Sequence, residues 1–84
     1  MSDVVGEVIQ ERERQNIEWV EQNHMPTVWL AMLMEEVGEA AKAICEIKLR
    51  NYRRELIQVA AVAIAAVESL DRKAQKKRCD EEAE

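Results

Sequence analysis

Acidic side chains recur at helical spacing near the middle of the chain. Glu36 and Glu39 are three residues apart, and Glu35 and Glu39 are four apart, so in a helix these carboxylates share one face. Further along, Glu55 and Gln58 repeat the three-residue spacing. Like charges at this spacing repel one another, and a divalent cation with oxygen ligands turns that repulsion into binding. The pattern therefore predicts a metal site shared by two helices.

The same glutamates also have a simpler interpretation. Paired carboxylates are common on solvated helix faces, and Glu39 could form an ordinary ion pair with Lys42, three residues away. The apolar neighbours Leu33, Met34 and Val37 favour partial burial of the cluster instead. Spacing alone leaves both interpretations open.

Three helices are expected to carry these side chains. The chain has only two glycines and one proline and lacks strand-like alternation, so we predict an all-α fold. The first helix should begin at an N-cap, Ser2 or Asp3, and reach about Glu21. The other two are predicted from Pro26 to about 45–48 and from about Tyr52 to beyond Leu70.

The second and third helices should form a long antiparallel hairpin, with the first helix beside it. Pairing Glu39 with Glu55, or Glu36 with Gln58, is centred on position 47 in both cases. A turn at that position would bring all four side chains to one level. The only clear helix breaker, Asn51, lies four residues later, so the position of the turn is left open.

Burial of apolar surface indicates association with another chain. From Leu56 to Val67 every residue except Gln58 is apolar, and a helix that is apolar on all sides must be surrounded by protein. One neighbouring helix and a short N-terminal helix cannot surround it. We therefore predict a dimeric helical bundle, in which residues 1–73 form the single domain and residues 74–84 a charged C-terminal tail.

Charge and composition argue against several classes of protein. The net charge of −5 disfavours nucleic-acid binding, which needs a basic surface. The longest apolar run, Val59 to Val67, is too short for a bilayer span of about 20 residues, so no membrane association is expected. No signal peptide is evident. Cys45 is predicted to be a small core residue, and the two cysteines form no CxxC pair and suggest no zinc site, which favours a cytoplasmic protein.

Two segments together resemble a known family. Met34–Ala40, which reads MEEVGEA, and then Glu55–Ala63, which reads ELIQVAAVA, resemble the MazG-like all-α nucleoside triphosphate pyrophosphatases. The run Glu11–Gln15, with Trp19 and then residues 22–24, is similar to small family members from phages and mobile elements. The resemblance covers roughly residues 10–71.

The resemblance implies an activity and a cofactor. Such enzymes use Mg²⁺ to hydrolyse (d)NTPs to the nucleoside monophosphate and pyrophosphate, a nucleotide-pool house-cleaning reaction, and they assemble as dimers or dimers of dimers. By position, Glu36, Glu39 and Glu55 would be metal ligands, and Glu35 would be an additional carboxylate that orients the attacking water. Gln58 occupies the position of the family's aspartate; its oxygen can bind a cation, but it cannot act as a base.

Candidate substrate contacts follow from charge and from the aromatic and amide groups that base recognition needs. Lys42 and Arg54 are candidate phosphate ligands, and Gln15, Trp19 and Asn23 could contact the base. Packing of the tryptophan and pairing of the arginine with a nearby glutamate are the simpler alternatives. Two other functions stay open. One is a helical dimer that binds nucleotide or metal without turnover, which Gln58 would favour; the other is a helical protein-interaction module.

Overall fold

The computed structural model describes residues 3–18 and 22–82, and all regular secondary structure within these ranges is helical. It contains three helices: α1 (Val4–Glu18), α2 (Pro26–Cys45) and α3 (Leu49–Glu82). The predicted all-α class and the three-helix order are therefore confirmed. The predicted cap Ser2, Trp19 and the predicted end of the first helix at Glu21 lie outside the described residues.

Helix α1 begins at a side-chain cap. Oδ1 of Asp3 accepts a hydrogen bond from the backbone N–H of Gly6 at 3.1 Å, and the carbonyl of Asp3 accepts one from Glu7 at 3.0 Å. An aspartate in this position satisfies one of the N–H groups that the first turn of a helix leaves unpaired. The structure thus uses Asp3, one of the two caps that the sequence predicted.

The turn between α2 and α3 lies at Glu46–Ile47, so the centre of the hairpin is at position 47. The N–H of Lys48 donates to the carbonyl of Ala43 at 2.9 Å, and the N–H of Ile47 donates to that of Ile44 at 3.1 Å. These two bonds define a Schellman motif, which needs a left-handed residue at its C′ position. Ile47 supplies it with φ of 57°. The chain therefore turns before Asn51, which lies inside α3 and does not break it. Helix α3 begins at Leu49, three residues earlier than the predicted start at Tyr52.

Replacing Ile47 with glycine should stabilise the protein. A β-branched residue in the left-handed region is strained, and the Ile47 side chain is 82% exposed, so little packing would be lost. The greater freedom of glycine in the unfolded chain offsets part of the relieved strain. We expect a net gain of about 0.5–1 kcal/mol in the free energy of unfolding. Denaturant unfolding measures it. Ile47→Ala is the control, since alanine keeps a Cβ in the same conformation; an equal gain in both variants would contradict this explanation.

Helices α2 and α3 pack as the predicted antiparallel hairpin. Their shared core contains Trp29, Val62 and Ala65, with Met32 and Leu33 packed against it. Trp29 is only 5% exposed. Since its indole contributes the largest apolar side chain of this cluster, it secures the open end of the hairpin.

Helix α1 packs on α3 and, among the described residues, not on α2. Arg12 donates from Nη2 to Oε1 of Glu68 at 2.7 Å, and Arg53 donates from Nη2 to Oε2 of Glu7 at 2.6 Å. The order of these partners shows that α1 runs in the same direction as α3. The central helix α3 therefore holds α1 on one side and α2 on another.

Much apolar surface remains uncovered in the single chain. Cys45, predicted as a core residue, is exposed because it is the last residue of α2, where packing on α3 ends. Within residues 3–18 and 22–82, no helix combines the length and the apolar character that crossing a membrane requires. The exposed apolar side chains on α2 and α3 include Leu30, Met34, Val37, Ile44, Leu56, Ile64, Val67 and Leu70.

Candidate metal centre

The hairpin brings three of the predicted carboxylates together. Oxygens from Glu36, Glu39 and Glu55 lie within 4.8 Å of one another. Glu36 and Glu39 project from α2, one turn apart, and Glu55 projects from the second turn of α3. The turn at Ile47 decides this alignment, because it places the two helical segments at the same distance from the hairpin's end.

Gln58 joins the cluster through its amide. The amide orientation that satisfies the neighbouring groups places its nitrogen towards the carboxylates; in that orientation Nε2 donates to Oε2 of Glu36 at 2.9 Å and to Oε2 of Glu55 at 3.2 Å. Two donated hydrogen bonds partly offset the repulsion between the carboxylates. For Gln58 to bind a cation, the amide must rotate so that Oε1 replaces Nε2. Its role as a metal ligand stays a prediction.

The cluster raises the pKa of Glu36. The largest cause is partial burial of its carboxyl group, followed by the negative charges of Glu39 and Glu55. A hydrogen bond with Glu55 and the charge of Glu35 act in the same direction. All of these disfavour the ionised form. A bound cation would oppose the effect of these negative charges on the pKa, because it binds the ionised carboxylates.

Stability without metal should fall as pH rises through the titration of Glu36. A raised pKa means that the folded state binds this proton more tightly than the unfolded chain does. The free energy of unfolding therefore falls as pH rises from the usual value of 4.5 through the raised pKa. Glu36→Gln should flatten this part of the curve, measured by urea unfolding in EDTA. The hydrogen bond from Arg53 lowers the pKa of Glu7, so this residue makes stability rise with pH, and it does so below pH 4.5. The variant does not change this contribution. Parallel curves for both proteins would contradict the assignment.

The three carboxylates are compatible with a small divalent cation. Mg²⁺ binds oxygens at about 2.1 Å, which places opposite ligands about 4.2 Å apart. Adjacent ligands lie about 3.0 Å apart, and three ligands include at most one opposite pair. The observed limit of 4.8 Å therefore requires contractions of up to about 1.8 Å, which rotation of the glutamate side chains would have to supply. Oxygen donors with no sulfur or imidazole favour Mg²⁺, Mn²⁺ or Ca²⁺ over zinc. Glu36, Glu39 and Glu55 would hold the ion.

A polar cleft adjoins the cluster at the closed end of the hairpin. Its volume is about 270 Å³, and Glu39, Lys42, Lys48, Asn51 and Glu55 line it. Lys42 thus lines the same cleft as two of the carboxylates, and its role as a phosphate ligand stays a prediction. Asn51 lines the same cleft, whereas the sequence indicated it only as a helix breaker. Its position close to the turn was the one sequence feature that could have placed it at this site. The ammonium of Lys48 lies 3.2 Å from Oε2 of Glu46.

The other predicted substrate residues lie elsewhere. Gln15 is buried between α1 and α3, where Oε1 accepts from Nη1 of Arg12 at 3.0 Å. Oδ1 of Asn23 accepts from Nε of Arg72, which is fourteen residues or about 21 Å along α3 from Gln58. Their roles in base recognition stay predictions, and Trp19 is outside the described residues.

Arg54 on α3 and Glu35 on α2 are both exposed. Nη2 of Arg54 donates to Oδ1 of Asn51 at 3.1 Å, and Arg54 borders a cleft between α1 and α3. Glu35 precedes Glu36 on α2 and acts on it through its charge. Phosphate binding by Arg54 and orientation of a water by Glu35 are therefore still predictions.

Comparison with protein-family models, with curated proteins and with solved structures finds no match for this chain. Relatives therefore contribute nothing to the assignment. The functional argument depends on the residues of the cluster and on the resemblance of the two sequence segments that carry them.

Proposed function

We propose that the protein is a Mg²⁺-dependent hydrolase that converts (d)NTPs to nucleoside monophosphates and pyrophosphate, in the manner of the MazG-like pyrophosphatases. The main support is the cluster of Glu36, Glu39 and Glu55, whose oxygens lie within 4.8 Å of one another across the hairpin. These are the positions at which the sequence resembles the family's metal ligands. A nucleotide-pool enzyme of this kind would work in the cytoplasm.

Each residue of the cluster has a distinct part in this proposal. The three glutamates hold the ion, which when bound neutralises phosphate oxygens and acidifies a water molecule. Glu35, exposed beside Glu36, orients the attacking water and accepts its proton. Its exposure is compatible with this part, since a base must reach water that enters from solvent.

Cations around the adjoining cleft suit a triphosphate. Lys42 and Lys48 line the cleft together with Glu39 and Glu55, so phosphate oxygens and metal ligands would meet there. Arg54, one residue before Glu55, is exposed but borders the cleft between α1 and α3 instead. Positive side chains beside a carboxylate cluster bind phosphate without competing for the metal, because they attract the anionic part of the substrate.

We further propose a homo-oligomer, either a dimer or a dimer of dimers. The chain exposes 6573 Å², whereas a compact monomer of this mass exposes about 5,100 Å². Its radius of gyration is 15.5 Å, against about 12 Å for a compact domain of this length. A second copy covering the exposed apolar side chains of α2 and α3 would account for both differences.

Sedimentation equilibrium tests the oligomer. We expect Met34→Lys, a charge placed on an apolar side chain that is 58% exposed, to weaken association by at least about tenfold, because an unpaired charge would be buried in the interface. Glu13→Lys on the polar surface of α1 serves as the control. A monomeric wild-type protein at micromolar concentration would contradict the proposal.

The activity is tested with a panel of (d)NTPs in the presence and absence of Mg²⁺, with monophosphate and pyrophosphate measured separately. Equal amounts of both products, formed only with the metal, are expected. Release of inorganic phosphate and a diphosphate would indicate a different cleavage. No turnover of any nucleotide would reject the hydrolase.

One observation favours a second candidate, an oligomer that binds metal or nucleotide without turnover. Gln58 stands at the position of the family's aspartate, and it leaves the site with one carboxylate fewer than the family pattern. Weaker metal binding would follow. Nucleotide or Mg²⁺ that raises the melting temperature without product formation would identify this candidate, since a ligand of the folded state stabilises it.

A further inference from the structure

A cleft between α1 and the first turns of α3 is lined by four arginines and only two carboxylates. Its volume is about 360 Å³, and it shares no lining residue with the polar cleft beside the metal centre. Four positive and two negative side chains give this lining a charge of +2, although the whole chain carries −5. The charged side chains are Glu7, Glu11, Arg14, Arg50, Arg53 and Arg54.

Two of the four arginines are paired with the two glutamates. Arg53 donates from Nη1 and Nη2 to the two carboxylate oxygens of Glu7, at 2.9 and 2.6 Å. Arg14 donates from Nε to Oε2 of Glu11 at 3.0 Å, and its Nη2 contacts the other oxygen. Paired contacts of this kind fix the orientation of the guanidinium. Since each pair is neutral, neither contributes to the excess positive charge.

The excess charge belongs to Arg50 and Arg54. Among the described residues, Arg50 forms no hydrogen bond or ion pair, and Arg54 donates only to Oδ1 of the neutral Asn51, at 3.1 Å. The two arginines are four residues apart, so they lie on neighbouring turns of one helix face and repel each other. Arg50 is also in the first turn of α3, where the helix dipole disfavours positive charge. An anion between the two guanidiniums would offset both effects.

We propose that this cleft binds the phosphate monoester group of a small molecule, held by Arg50 and Arg54. A phosphate monoester carries a charge of about −1.5 to −2 at neutral pH, which matches the excess of +2. Guanidinium groups bind phosphate oxygens in pairs, with good geometry. In the same lining, the amide of Gln10 offers a neutral donor and Ile57 an apolar surface for the organic part of the ester.

Charge favours a small dianion over a nucleic acid. The phosphates of nucleic acids are diesters with one negative charge each, and binding them needs a basic surface that follows the backbone. This chain is negative overall, and the excess charge of the cleft belongs to two side chains. The proposal depends neither on the metal centre nor on hydrolysis.

Methyl phosphate is a suitable probe, with its singly charged diester, dimethyl phosphate, as the counterpart. We would titrate each into the full chain at pH 7 without divalent cations and follow the side-chain NMR signals of the arginines. Methyl phosphate should shift Arg50 and Arg54 saturably, with a dissociation constant of about 1 mM, and dimethyl phosphate should bind about tenfold more weakly. The signals of Arg78, which is exposed near the other end of α3, should not shift.

Matched variants make the test specific. Arg50→Gln and Arg54→Gln should each weaken binding of methyl phosphate by about tenfold, whereas Arg78→Gln should not change it. Without a ligand, Arg50→Gln should melt at a slightly higher temperature than wild type, because the repulsion is relieved. Since both arginines are exposed, the variants should fold.

Three results would overturn the proposal: equal affinity for the monoester and the diester, no saturable shifts, or wild-type affinity in both arginine variants. Glu39→Gln should leave methyl phosphate binding unchanged, which separates this cleft from the proposed metal centre. A loss of binding in Glu39→Gln would place the anion at the metal centre and contradict a separate site. Failure of the hydrolysis assay would leave all of these expectations unchanged.

Discussion

Glu39→Gln should reduce Mg²⁺-dependent hydrolysis of (d)NTPs by at least about 100-fold. The substitution keeps the size of the side chain and removes one of the three charges whose oxygens lie within 4.8 Å. Stabilisation of transition-state charge by a bound metal amounts to several kcal/mol, and about 2.7 kcal/mol corresponds to this factor. Initial rates of pyrophosphate release, measured at saturating Mg²⁺ and again at tenfold lower Mg²⁺, give the effect and its metal dependence.

The control for this experiment is Glu13→Gln. Glu13 is exposed on α1, away from the cluster, and receives the same chemical change. It should retain the wild-type rate. A similar loss in both variants would mean that net charge, and not the cluster, determines the rate. Unimpaired hydrolysis by Glu39→Gln would remove this carboxylate from the proposed ligand set.

Gln58→Asp should bind Mg²⁺ about tenfold more tightly than wild type and be less stable without it. The aspartate adds a negative charge for the cation and removes the amide that donates to Glu36 and Glu55. In EDTA, loss of these hydrogen bonds and the added repulsion should lower the free energy of unfolding by about 1 kcal/mol. Thermal unfolding in EDTA and across a Mg²⁺ titration measures both effects.

Gln58→Asn separates charge from side-chain length. Asparagine is as short as aspartate but neutral, so it should lower stability in EDTA without the gain in metal affinity. The opposite signs expected for Gln58→Asp, destabilising without metal and stabilising with it, identify a metal position next to residue 58. A variant that is less stable at every Mg²⁺ concentration would contradict that position.

Much of the fold could be predicted from the sequence because its signals are local. The scarcity of glycine and proline predicted helices, and the structure confirms three. The pairing of residues around position 47 predicted that Glu36, Glu39, Glu55 and Gln58 lie at one level, and the structure brings all four together. Spacing along two helices gave this alignment only on the condition of a turn at position 47, because an antiparallel hairpin has one register once its centre is known.

The turn and the more distant contacts could not be predicted in the same way. Ile47 is an unusual choice for a left-handed residue, so no residue type marked the turn, and Asn51 suggested a later one. The burial of Gln15 depends on Arg12, whose pairing with Glu68 joins residues 56 positions apart. Long-range contacts of this kind leave no periodic pattern. The orientation of the Gln58 amide likewise follows from the acceptors around it and not from its spacing.

The central claim is that a divalent cation binds at Glu36, Glu39 and Glu55. The most direct measurement is a titration of the isotopically labelled protein with Mn²⁺, used as a paramagnetic substitute for Mg²⁺, followed by line broadening of the backbone amide NMR signals. We predict that signals of residues 35–40 and 54–59 broaden first, that excess Mg²⁺ restores them, and that Glu39→Gln abolishes the effect. Broadening that is uniform along the helices, or that begins at other carboxylates, would contradict the claim.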